Sequence, residues 1–149
     1  MALTAGQIPK VANVLNSGVA TLTGITSGSL GTDQNGASGY TAGASGGRVI
    51  SLMASSDDTA IVNVYVYILR GATVLPIGLV PVAINSGNVT GTRNVDCLNG
   101  TNIPGLPVDN TGRQYIPLLA SDILKFSTLV NVTAAKKCIL TVHGLDYQT

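Results

Sequence analysis

Residues 61–70 read Ile-Val-Asn-Val-Tyr-Val-Tyr-Ile-Leu-Arg, and no other stretch limits the fold as sharply. Val62, Val64, Val66 and Ile68 occupy every second position, with Asn63, Tyr65 and Tyr67 between them. A period of two belongs to a strand, whose successive side chains point to opposite faces. A lone strand leaves its N–H and C=O groups unpaired, so the chain has to supply neighbours. Residues 48–54 form a strand before it. After the tight turn Arg70-Gly71-Ala72-Thr73, residues 74–82 return. Pro76 and Pro81 cannot donate to a ladder, which puts that returning strand at a sheet margin.

The pattern continues to the end of the chain. Turn signals recur at 85–100 and 109–112, and residues 114–119 read as a strand. In residues 123–128, Leu124 and Phe126 point inward and Lys125 outward. In residues 137–144, Cys138, Leu140 and Val142 point inward, Thr141 and His143 outward. About seven or eight short strands with frequent turns predict an all-β fold, a single β-sandwich that is jelly-roll-like. At 149 residues this is one domain's worth of chain.

Residues 1–47 read differently. Between 11 and 47 the only charged residue is Asp33, and Gly, Ser, Thr, Ala and Asn dominate. Val11, Val14, Leu15, Val19, Leu22 and Ile25 are spaced partly as in a helix, but Gly18, Gly24 and the threonines oppose one. The expectation is an extended N-terminal arm over 1–47 with little core of its own, and a β-sandwich domain over 48–149. Removing residues 2–46 is then expected to leave that domain folded.

Only 10% of the residues are charged, against roughly 25% in an average soluble domain, and there is no glutamate. Four lysines and four arginines scattered along the chain make no basic patch, which argues against nucleic acid as a partner. No apolar run reaches the roughly 20 residues of a membrane helix. The N-terminus has no basic n-region or apolar h-region, so a cytoplasmic origin is expected, with Cys97 and Cys138 as thiols. A chain this short of charge cannot make the mixed charged surface of a soluble monomer. Much of its surface is expected to be covered by copies of itself or by another protein.

No constellation of residues calls for chemistry. His143 is the single histidine, and no nucleophile elbow accompanies it. Asp57-Asp58 reads as a solvated turn without the ligand spacing of a cation loop. Cys97 and Cys138 lack the paired spacing of a zinc site, and the glycine-rich stretch lacks the lysine of a phosphate cradle. No catalytic residue, cofactor or metal is expected. Tyr65 and Tyr67 share one face of the strongest strand and admit two main readings. They pack beneath a second sheet or a loop, or they anchor a protein interface, where tyrosine is enriched. With Val11, Val14, Leu15, Leu22 and Tyr40 they make the set of candidate interface residues.

Three stretches carry a resemblance. They are residues 48–60 with the Val-x-Val-Tyr-Val strand that follows; residues 106–118, Leu-Pro-Val-Asp-Asn-Thr-Gly-Arg-Gln-Tyr-Ile-Pro-Leu; and Asp122-Ile-Leu-Lys-Phe with residues 132–147. Together they resemble a family of small virion proteins encoded beside the capsid genes of tailed bacteriophages. The resemblance leaves the arm uncovered. It implies a non-enzymatic head decoration (cement) protein, made in the bacterial host cytoplasm and placed on the head surface. The implied partners are the major capsid protein and further copies of the chain, as dimer or trimer. A tail, baseplate or fibre component that binds the host cell surface is the alternative.

Overall fold

The structure, a computed structural model, describes residues 12–23, 35–130 and 132–148. Its strands are β1 (Ala12–Leu22), β2 (Ala37–Thr41), β3 (Gly47–Ser56), β4 (Val62–Arg70), β5 (Thr73–Val82), β6 (Val95–Asp96), β7 (Ile116–Leu118), β8 (Ile123–Thr128) and β9 (Cys138–Tyr147). They form two antiparallel sheets. One runs β1-β9-β3-β6, with β7 also on β3, and the other runs β2-β8-β4-β5. The fold is an all-β sandwich.

Alternation sets the inner faces. Val64, Val66 and Ile68 of β4 stand opposite Thr128, Phe126 and Leu124 of β8, and all are buried. Leu140 and Val142 of β9 stand opposite Ala54 and Leu52 of β3, again buried. Each fully buried Leu or Phe contributes roughly 1.5–3 kcal/mol by leaving water. β5 lies at the margin of its sheet, where Pro76 and Pro81 cost no ladder bonds.

The expected arm is corrected at two places. β1 pairs with β9 along its length, with Leu22 opposite Cys138, Ala20 opposite Leu140 and Ser17 opposite His143. β2 pairs with β8, and Tyr40 and Ala42 are buried in the core. The sheets meet closely here. A Cβ on Gly18 would lie 1.6 Å from the Gly39 carbonyl oxygen, so only glycine lets β1 cross β2 at this depth. A Cβ on Gly144 would fall 2.5 Å from the Tyr40 ring.

Asp146 then ties three elements together. Its carboxylate accepts hydrogen bonds from Asn16 Nδ2 on β1 at 3.2 Å, Tyr40 Oη on β2, and the Gly43 N–H at 3.1 Å. Burial, with the adjoining Asp146 carboxylate, holds the Tyr40 hydroxyl well above its ordinary pKa. Removing residues 2–46 would strip an edge strand from each sheet. The rest of the expected arm, residues 1–11 and 24–34, lies outside the described residues.

Asp58 is a second correction. It is 1% exposed and not part of a solvated turn. Its carboxylate accepts the Thr133 N–H at 2.8 Å, the Thr133 hydroxyl at 2.6 Å and the Ala60 N–H at 3.1 Å. Its backbone carbonyl accepts the Asn85 N–H. One side chain thus closes the loops at one end of the sandwich. Arg70 and Asp122 do similar work elsewhere, through two parallel hydrogen bonds of 2.8 and 2.7 Å.

Candidate interaction surface

The outer face of the β1-β9-β3 sheet follows from the same alternation. With Ala20, Leu22, Leu140, Val142, Leu52 and Ala54 turned inward, the intervening residues face out. These are Leu15, Ser17, Val19 and Thr21 on β1, and Ile139, Thr141, His143 and Leu145 on β9. On β3 they are Ile50, Ser51, Met53 and Ser55. None is an aspartate, lysine or arginine; Arg48 stands at one end of the face, and Asp96 of β6, opposite Met53, borders it. Leu15 is 65% exposed and Val19 61%. A register shift between Val49 and Ser51 leaves Ile50 as an extra residue, which keeps Leu52 and Ala54 inward. Leucine, valine and isoleucine displayed together on one face make it the candidate interaction surface.

His143 lies in the middle of this face, with Ser17 beside it on β1 and Ser51 on β3. Ser17 Oγ and His143 Nδ1 are hydrogen-bonded at 2.9 Å. A catalytic triad also needs a carboxylate orienting the imidazole. Asp146, the nearest acid along β9, serves Asn16, Tyr40 and Gly43 instead. The serine–histidine pair is a cross-strand contact, of the kind that steadies a sheet.

Beside this face runs a groove of about 670 Å³, floored by Ile50 and Met53 and walled by Asn99, Val108, Arg113 and Gln114. Its wall is a hairpin fixed by its own side chains. Asp109 Oδ1 accepts the Thr111 N–H, the Thr111 hydroxyl and the Arg113 N–H. Those bonds, the Thr111 hydroxyl first among them, hold the Asp109 carboxyl below the usual range. At its base the Arg48 guanidinium sits 5.6 Å from the centre of the Tyr115 ring.

The candidate interface residues separate. Val14, 42% exposed, and Leu15 lie at the surface. Leu22 and Tyr40 do not, being 0% and 4% exposed in the core. Tyr65 and Tyr67 are buried too, which corrects their reading as interface anchors. They face away from the Val64–Val66 side of β4 and stack on each other, ring centres 5.2 Å apart. On the tyrosine side Gly36 is held at two points: its N–H donates to Tyr67 Oη at 2.9 Å and its carbonyl accepts from Lys125 Nζ at 3.2 Å. Val11 lies outside the described residues. The outer face also carries Val19, Ile50, Ile139 and Leu145, which the candidate set does not include. The alternation Leu15, Ser17, Val19, Thr21 was the available signal, obscured by the glycines around it.

Cys97 and Cys138 are free thiols in the core, with pKa pushed up to about 12 by burial. Among the described residues no group of histidine, cysteine and aspartate side chains is arranged to hold a metal ion. No protein-family model, no curated protein and no solved structure matches the chain.

Proposed function

We propose that this chain is a structural virion protein, a decoration protein that binds the assembled head of a tailed bacteriophage and stabilises it against internal DNA pressure. The observation that carries the reading is the uncharged outer face of β1, β9 and β3, with Leu15, Val19 and Ile50 exposed on it. The resemblance of residues 48–60 with the strand that follows, 106–118, and 122–126 with 132–147 to phage virion proteins supports the same conclusion. On this reading the major capsid protein and neighbouring copies cover the face.

The mechanism needs no reaction. A protein that binds only the assembled lattice shifts the equilibrium toward it by mass action. A specific contact buries roughly 1,600 Å² in total, and capsid symmetry repeats it many times over. A weak single contact then adds up to a large resistance to expansion.

The test is copy number per particle, by quantitative mass spectrometry of purified virions against the major shell protein. Hundreds of copies are expected. The groove bordered by Asn99, Arg113 and Gln114 favours a second reading, a tail or fibre component that binds a host-surface glycan. A handful to a few tens of copies would move the assignment there, and absence from the particle would remove both.

A further inference from the structure

A sandwich of two open sheets has four lateral edges, and exposed edges invite pairing with other chains unless they are blunted. Most edges here are blunted. β5 carries Pro76 and Pro81. β6 has only 2 residues, and β7 has 3 with a proline in the middle. β2 has 5 residues, and its register shifts between Ser38 and Tyr40. β1 is the exception. It spans 11 residues, Ala-Asn-Val-Leu-Asn-Ser-Gly-Val-Ala-Thr-Leu, with no proline and no charge, and among the described strands it is hydrogen-bonded to β9 alone. None of its 11 residues is a lysine, and Leu15 and Val19 are exposed on it.

We propose that β1 pairs antiparallel with β1 of a second copy about a two-fold axis, joining two β1-β9-β3-β6 sheets into one continuous sheet. Antiparallel pairing of a strand with itself is self-complementary, as an isologous interface requires. The axis falls at Ser17, the midpoint of Ala12–Leu22, so the whole strand is used. This register sets Leu15 of one copy opposite Val19 of the other on the outer face, and Val19 opposite Leu15. Both exposed apolar side chains are covered by each other. Because β1 bears no charge, two copies meet without like-charge repulsion. A fully paired strand of this length makes about ten main-chain hydrogen bonds, the number in an ordinary specific interface. The inference rests on the strand edge and not on the virion reading, and the purified protein tests it apart from any particle.

The experiment is sedimentation equilibrium on the full chain at micromolar concentrations, with two variants. The wild type is expected to be a dimer. Leu15→Lys with Val19→Lys places charges on side chains that are exposed in the single chain, so the fold is kept. This double variant is expected to weaken the dimer on the order of 100-fold or more, with an unchanged circular dichroism spectrum. Ser17→Cys places two thiols at the axis, where directly opposed Cβ atoms lie about 4.5–5.5 Å apart. Mild oxidation is expected to cross-link it into a covalent dimer, while the wild type, its own thiols buried, stays uncross-linked on a non-reducing gel. A monomeric or trimeric wild type overturns the proposal. So does a dimer that survives both lysines while Ser17→Cys, folded, fails to cross-link.

Discussion

Leu22→Ala asks whether β1 belongs to the folding unit. Leu22 is 0% exposed, opposite Cys138, with Ala20 and Leu140 one position along on the same face. The substitution removes three carbons from the core, about 2.4 kcal/mol at 0.8 kcal/mol per buried methylene. A cavity adds to this when the neighbours cannot close in. Leu22 sits at the strand's end, where collapse is easier, so the expected loss is about 3 kcal/mol. For a domain of this size each kcal/mol lowers Tm by roughly 2–4 °C, giving a drop of about 6–12 °C. Leu15→Ala, seven positions earlier on the same strand but 65% exposed, is the control, expected to change stability by no more than about 0.5 kcal/mol. Thermal and urea unfolding of both variants, at protein concentrations low enough that wild type and variants are all monomeric, makes the comparison. Equal melting temperatures for Leu22→Ala, Leu15→Ala and wild type would falsify the integration of β1 and restore an arm without a core.

Two further outcomes follow from the buried polar and thiol groups. Burial raises the Asp58 carboxyl, but the hydrogen bonds from Thr133, Ala60 and Thr59 together outweigh it and leave its pKa below the ordinary value. A depressed folded pKa contributes stability that is present above the unfolded value of about 4 and is lost as pH falls through the folded one. Asp58→Asn is therefore expected to destabilise the protein at pH 7, by about 2–3 kcal/mol, and to flatten the acid side of its stability profile. Urea midpoints between pH 7 and pH 3 read this directly, and an acid limb as steep as that of the wild type counts against it. Cys97 and Cys138, 0% exposed with pKa pushed up to about 12, are expected to resist an aromatic disulfide reagent in the native state. Both should react in denaturant; fast native labelling of either would show that the core opens locally.

The strands that could be read from the chain are those whose two faces differ in polarity or whose apolar run is long. β4, β8 and β9 alternate cleanly, so their inward residues were legible one by one. β5 was legible as an edge strand because proline cannot sit in a central ladder. β1 was not, because its pattern runs the other way. Its inward positions include Asn16, Gly18 and Ala20, while Leu15 and Val19 point outward. The close crossing at Gly39 demands small residues on the inner side, and apolar residues outside have no inward signature to match. Tyr65 and Tyr67 show a different limit. Alternation assigns them to one face of β4, but it does not say whether that face is covered; both rings are buried, and the Gly36 N–H reaches the Tyr67 hydroxyl.

Asp58 shows the same limit for a polar residue. Two adjacent aspartates between strands carry no mark of burial. Asp58 is buried because Thr133, 75 residues away, brings two donors to it. What the sequence determined by itself was local: strand periodicity, turns, the proline-marked edge and the shortage of charge, and hence an all-β sandwich. Tertiary structure decided which face of each strand meets another layer, which edge stays open and which polar groups are closed off from water. These depend on contacts between segments far apart in the chain, such as β1 with β9 and Asp146 with Tyr40, and the period of a single segment carries no information about what is packed against it.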